Sequence, residues 1–201
     1  MPAILITAAV GYFLGSIPFG FIVMRVLRGE DVRRSGSGNI GATNVARSSF
    51  ALGILTLLLD ALKGTAAVFL TRELFPERPI LAVVAALFAI IGHMFPLWLQ
   101  FRGGKGVATA LGSFALLAPK SVLVAIAIFA MIVFISRYVS LASMVVVILF
   151  PALVWWLDRN RSDPQAITLM AVASLLILIK HQGNIRRLKS GTESRFRFKR
   201  G

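Results

Sequence analysis

The chain has 201 residues, 57% of them apolar and only 15% charged, with 22 Lys+Arg against 8 Asp+Glu for a formal charge of +14. Soluble domains carry nearer a quarter charged residues and disorder requires low hydrophobicity, so both classes are excluded. With no cysteine present, disulfides, thiolate metal sites and thioester chemistry on a Cys nucleophile are excluded as well. A polytopic membrane protein with basic loops and a membrane-bound nucleic-acid binder remain, and the placement of the positive charges separates them.

From Met1 to Met24 there is no charged residue, a run long enough to cross a hydrocarbon core of about 30 Å. It lacks the basic leader and the short apolar core of a signal peptide. Further apolar runs lie at 49–70, 80–99, 107–118, 122–135, 139–157 and 166–179, joined by short polar or Pro/Gly segments. The stretch 107–135 reads either as one helix kinked at Pro119 or as two short spans turning at Pro119-Lys120. Charge decides. With two spans, one side collects Arg25, Arg28, Arg33, Arg34, Arg47, Arg102, Lys105, Arg137 and the eight basic residues from Lys180 to Arg200. The other side holds Arg72, Arg78, Lys120, Arg159 and Arg161. That asymmetry places the first side in the cytoplasm. The expectation is an all-α polytopic membrane protein of seven transmembrane helices, N-terminus out and C-terminus in. It forms a single domain over 1–201, with a basic cytoplasmic tail at about 185–201. The tail carries Phe196 and Phe198 among its cations and reads as attracted to anionic head groups, with no nucleic acid implied.

Four polar segments fall on the cytoplasmic side of that topology. The first, Ser35-Gly36-Ser37-Gly38-Asn39-Ile40-Gly41-Ala42-Thr43-Asn44 followed by Arg47, combines glycines that let backbone amides converge on an anion with an arginine suited to phosphate. Its spacing Gly36-x-Gly38-x-x-Gly41 mimics a dinucleotide fingerprint, with Asp60 following. A membrane span precedes it instead of a strand, so that reading fails. The second is Gly92-His93-Met94-Phe95-Pro96, then Phe101-Arg102-Gly103-Gly104-Lys105-Gly106-Val107-Ala108-Thr109. Glycines around a lysine at a helix start make an anion site. It is not a Walker loop, because Leu99 takes the first glycine position and Gly106 replaces the Ser/Thr. His93, alone near a helix end, reads as structural. The third is Arg137-Tyr138-Val139-Ser140-Leu141-Ala142-Ser143, and the fourth is His181-Gln182-Gly183-Asn184. Asp60 and Lys63 share a helix face inside an apolar run and read as a pair neutralising itself in lipid. Together the segments suggest chemistry joining a phosphorylated polar molecule to something lipid-like.

These segments resemble the bacterial acyl-phosphate:glycerol-3-phosphate acyltransferases of the PlsY type. The residues concerned are Ser37-Gly38-Asn39-Ile40-Gly41-Ala42-Thr43-Asn44-Val45-x-Arg47, Gly92-His93-x-x-Pro96 through Thr109, Arg137 to Ser143 and His181-x-x-Asn184, with Leu14 to Gly20. The resemblance covers the chain in order and length. It implies a seven-helix inner-membrane enzyme that acylates the first hydroxyl of glycerol 3-phosphate from an acyl phosphate, giving lysophosphatidic acid and phosphate. Neither a metal nor a cofactor is implied. Ser37, Arg47, Lys105, Ser143, His181 and Asn184 are the implied catalytic residues. Gly38, Asn39, Thr43 and Asn44 would bind substrate, and Gly103, Gly104 and Gly106 would hold phosphate through their backbone. The family usually has Glu directly before the last asparagine; this chain has Gly183, so no role for that carboxylate carries over. No Ser-His-Asp set is evident in the spacing, which favours direct attack without an acyl-enzyme. The acceptor's own phosphate or His181 would then take the proton. A transporter for an anionic metabolite is the rival reading, and it requires polar pathways from both sides of the membrane.

Overall fold

The computed structural model describes residues 1–158 and 163–196, and every described element is helical. Arg159, Arg161, Phe198 and the tail cations Arg197, Lys199 and Arg200 lie outside the described residues. The chain divides after Leu117 into two compact units.

The first unit contains α1 (Pro2–Ser16), α2 (Phe19–Arg28), α3 (Ala42–Ser48), α4 (Phe50–Leu74), α5 (Pro79–Met94) and α6 (Val107–Leu117). The second contains α7 (Pro119–Ser136), α8 (Val139–Leu157), α9 (Pro164–Lys180) and α10 (Gln182–Lys189). Pro2, Pro79, Pro119 and Pro164 each open a helix. There the missing N–H costs nothing and the fixed φ is already helical. Pro119 therefore starts α7 instead of kinking a longer helix, and Ala118 breaks the chain with φ −140° and ψ 67°.

Five segments are long and apolar enough to cross a membrane: Pro2–Arg28, Phe50–Leu74, Pro79–Leu99, Pro119–Ser136 and Val139–Leu157. α9 and α10, bent by 51°, together pass the same test. α6 is apolar but has 11 residues, only about half a hydrocarbon core at about 1.5 Å per residue. Large apolar side chains such as Leu5, Leu58, Leu62, Leu123, Phe134 and Trp156 are exposed, as expected where lipid is the solvent.

Inside the first unit, packing depends on small residues, because in lipid close backbone approach replaces the hydrophobic drive between helices. A Cβ on Gly15 would collide with the Ala89 carbonyl of α5, and one on Gly112 with the Ala61 carbonyl of α4. Ala67, Ala85 and Ala89 are fully buried at the same seam, with Leu14 against them.

The first apolar run is not one helix. α1 ends at Ser16 because Ile17 precedes Pro18 and takes an extended backbone, with φ −63° and ψ 115°. The Ile17 carbonyl then accepts a 2.7 Å hydrogen bond from Lys63 Nζ, while Lys63 also pairs with Asp60 at 2.8 Å. The expected i,i+3 pair is present, with both side chains only 2% exposed. The lysine has a second task in satisfying a carbonyl that the proline break releases.

Candidate active site

The glycine-rich segment after α2 is folded around one side chain. Asn44, 3% exposed, accepts from the Ser37 amide at 2.9 Å through Oδ1. Its Nδ2 donates to the carbonyls of Val32, Ser35 and Asn39 at 3.1, 3.1 and 2.9 Å. Gly36 and Gly38 adopt φ of +57° and +69°, the left-handed region that lets the loop curl around the amide group. The Arg47 side chain lies alongside: a Cβ on Gly36 would come within 3.3 Å of its Cδ and Nη1. Ser37, Gly38, Thr43 and Arg47 are exposed around this hub, while Asn39 is half-buried.

The second glycine segment returns to the end of α5. Gln100 and Phe101 both take positive φ, 53° and 61°, a strained turn for bulky residues. That turn is fixed by bonds from Phe101 N to the Pro96 carbonyl and from Arg102 N to the Leu99 carbonyl, both 3.0 Å. The chain then doubles back. The Gly103 amide donates to the Met94 carbonyl at 3.2 Å and the Gly104 amide to the His93 carbonyl at 3.0 Å. Those two amides are thus engaged within the fold. Gly106, buried with φ of +88°, leads into α6, whose first internal bond runs from the Ala110 amide to its carbonyl at 2.8 Å. The amides of Val107, Ala108 and Thr109 have no carbonyl one turn back within the helix. Half-buried Lys105 stands where they begin.

The structure brings these two loops together. Asn39 donates from Oδ1's partner atom, Nδ2, to the Gly103 carbonyl at 3.4 Å, and its Oδ1 accepts from the Gly41 amide at 2.8 Å. Beneath them Met24, Val32, Ile40, Val45 and Leu99 form one buried apolar cluster. Two cations and two glycine-rich loops therefore share a surface suited to anions. Nearby, Arg33 grips Asp31 through Nε and Nη2 at 2.7–3.2 Å. That hydrogen-bonded arginine lowers the Asp31 carboxyl to about 2.

The second unit has a polar cluster of its own. His181 is 2% exposed and its Nδ1 lies 2.8 Å from the Ile177 carbonyl. A neutral ring then carries its proton on Nδ1 and presents Nε2 as an acceptor. Ser143 Oγ bonds the Val139 carbonyl one turn back at 2.9 Å. Asn184 Nδ2 donates to Glu193 Oε1 at 2.6 Å. The same oxygen accepts from Ser140 Oγ at 2.6 Å, and Oε2 accepts from Arg187 Nε at 2.7 Å. Burial alone would raise the Glu193 carboxyl, but the hydrogen bonds from Ser140, Asn184 and Arg187 and the arginine's charge outweigh it and hold the group below the usual glutamate value. The chain beyond is tied down by Phe196 N on the Arg137 carbonyl at 2.7 Å and by Arg195 Nε on Tyr138 Oη at 3.0 Å.

Sequence reasoning picks out the segment that holds Ser140 but assigns no role to Glu193 or Arg187. It leaves one signal unused: Glu193 is a lone carboxylate among the cations that follow Lys180. It also found no acid beside a histidine, whereas Asp60 Oδ1 lies 3.5 Å from His93 Nδ1. This is not a nucleophile triad, since the far edge of the ring faces Gly104: a Cβ there would run into Nε2. Among the described residues no group of His, Asp and Glu could hold a metal ion.

Comparison with known proteins gives a consistent result. A family model described as glycerol-3-phosphate acyltransferase matches residues 5–191. The glycerol-3-phosphate acyltransferase of Mesorhizobium japonicum is 48% identical over 186 residues, covering 92% of each chain. That of Agrobacterium fabrum is 47% identical over 196 residues, 96% of this chain and 93% of the relative. The crystal structure of PlsY, an integral membrane glycerol 3-phosphate acyltransferase, in its glycerol 3-phosphate form has a TM-score of 0.89 at 35% identity, covering 96% of both chains. Its lysophosphatidic acid form gives 0.86 at the same identity, covering 96% of this chain and 95% of that one.

Proposed function

The chain belongs to the glycerol-3-phosphate acyltransferase family, and from that premise we propose that it transfers a fatty acyl group from an acyl phosphate to the first hydroxyl of glycerol 3-phosphate. The products are lysophosphatidic acid and inorganic phosphate, in a step of phospholipid biosynthesis. One observation carries the reading: two glycine-rich loops, one with Arg47 and one with Lys105, are joined through Asn39 and Gly103. A reaction between two phosphate-bearing molecules needs two such cationic cradles.

The chemistry asks little of a nucleophile. An acyl phosphate is a mixed anhydride with a good leaving group, so positioning and charge stabilisation supply most of the catalysis. The acceptor hydroxyl oxygen attacks the acyl carbonyl carbon, the bond to the phosphate oxygen breaks, and phosphate departs. Arg47 and Lys105 neutralise the approaching phosphates. The amides at the start of α6 face one of them, with Gly103 and Gly104 shaping the loop. Ser37, Asn39 and Thr43 donate to substrate oxygens, Ser143 does so once its hydroxyl turns away from the Val139 carbonyl, and Asn44 holds the loop in shape. The hydroxyl proton goes to the acceptor's phosphate or to His181, whose Nδ1–H on Ile177 leaves Nε2 basic. Asn184 is the remaining donor, aimed by Glu193.

In this reading the protein lies in the bacterial cytoplasmic membrane with seven spans, α6 being the short one. Its N-terminus is outside, and its C-terminus and active site face the cytoplasm, as the charge asymmetry requires. Purified protein given palmitoyl phosphate and glycerol 3-phosphate should release phosphate with lysophosphatidate. Arg47→Ala and Lys105→Ala should each lower kcat/KM by at least about 100-fold without loss of fold. Absence of turnover in intact protein, with saturable anion transport in vesicles, would overturn the reading. An acylated Ser37 or Ser143 trapped in a single turnover would overturn direct attack. Reporter fusions after Arg34 and Lys120 should lie on opposite sides of the membrane.

A further inference from the structure

Beneath the second glycine loop runs a buried polar chain that the proposed reaction does not use. It begins at the Ile17 carbonyl, bonded by Lys63 Nζ at 2.7 Å. It continues through the 2.8 Å Lys63–Asp60 pair to His93 Nδ1, 3.5 Å from Asp60 Oδ1. All three ionisable side chains are at most 3% exposed. The chain ends at Gly104, where the far edge of the imidazole occupies the space a Cβ would need. His93 therefore meets the loop twice: its carbonyl accepts from the Gly104 amide at 3.0 Å, and its ring bears on the same residue.

A histidine that merely fills space needs no carboxylate, and burying one costs stability unless it is partnered. Here Asp60 Oδ1 stands 3.5 Å from Nδ1, longer than a hydrogen bond but close enough in this buried setting to favour a ring turned with Nδ1 towards the carboxylate and Nε2 towards the loop. Lys63 in turn holds Asp60 in place by bridging it to the break between α1 and α2. We propose that His93, oriented by Asp60, is a positioning residue for the phosphate-holding loop, setting the height of Gly104 and with it the direction of Lys105 and the first amides of α6. The ring touches no substrate. It acts through the loop, and the inference rests on the reading of that loop as a phosphate site.

Two comparisons test it, each read by the Kd for inorganic phosphate and by the KM of each substrate against kcat. The first contrasts Asp60→Leu/Lys63→Met with Asp60→Asn/Lys63→Met. Both lack the buried charges and the lysine, but only the second keeps an oxygen facing His93 Nδ1. The leucine variant should weaken phosphate binding and raise the KM of one phosphate substrate by at least about tenfold with kcat little changed. The asparagine variant should stay within about threefold of the parent. Equal values in the two would overturn the proposal. The second comparison covers folding failure of either double variant. Gly104→Ala and His93→Ala should each weaken phosphate binding, and their combination should recover part of the loss because the smaller residue clears the new methyl. Losses that simply multiply, or a His93→Ala protein with parental Kd and KM, would sink it. Phosphate binding is read without turnover, so an inactive parent that still binds phosphate would indict the choice of acyl donor and leave this test intact.

Discussion

Asp60 meets its cation three residues away on its own helix, whereas Glu193 lies beyond α10 and draws Ser140, Asn184 and Arg187 from three points in the chain. Both carboxylates are buried, yet their surroundings do different work. The Asp60 pair is deep in an apolar helix, where a charge without a partner is intolerable and the nearest possible cation is the best solution. The Glu193 cluster sits past the last span, where neutral donors suffice beside one half-exposed arginine, and its product is geometry. It fixes Asn184 against the start of α8. In the membrane the compensating cation comes from the same helix; at its edge a carboxylate ties the start of α8 to α10.

Breaking each cluster in turn should rank them. Lys63→Met strips Asp60 of its lysine, leaving only His93 Nδ1 at 3.5 Å, and frees the Ile17 carbonyl, so it should destabilise by about 3–5 kcal/mol in thermal unfolding. Adding Asp60→Asn should restore most of that. If the single variant is as stable as the parent, the pair is not compensating buried charge. Glu193→Gln should cost less, about 1.5–3 kcal/mol for hydrogen bonds to a charged acceptor, and should lower turnover through Asn184. The pH dependence has a definite sign. Because the folded-state carboxyl lies below its unfolded value, its contribution is complete above the usual glutamate range and disappears as pH falls through the depressed value. The Gln variant should lack that acid-side loss, and an unchanged acid limb in unfolding midpoints would contradict it. Asp31→Asn should be smallest, under about 1 kcal/mol, since its Arg33 partner is exposed. Any effect should be present above about pH 4 and fade towards 2.

The same contrast explains what could be read from the chain. The span at Val139–Leu157 matches its apolar run residue for residue, because apolar length and flanking polarity are local properties. Proline at helix starts and the i,i+3 spacing of Asp60 and Lys63 are local as well. Glycines and cations mark Ser37 to Arg47 and Gly103 to Gly106 as two special loops in the sequence, and the structure joins those loops through Asn39 and Gly103. What escaped depends on contacts across the chain. Asn44, expected to touch substrate, spends four hydrogen bonds on its own loop, a fact that neither spacing nor residue type encodes. Glu193 reaches Ser140 across 53 positions, and His93 finds Asp60 on another helix. The interruption at Ile17 hid inside an uncharged run, since hydropathy does not register a missing amide.

The seam between α1 and α5 has a consequence for how such chains diverge. Where backbones touch at Gly11 and Gly15, no side chain is available to repack around a change, so compensation by a neighbour is closed off. On the opposite face, Leu5, Ile6 and Phe13 are exposed and can exchange among apolar types more freely. Sequence drift in the first helix is therefore channelled by turn: exposed positions are free to wander, while a stripe of one residue in four is held by backbone contact.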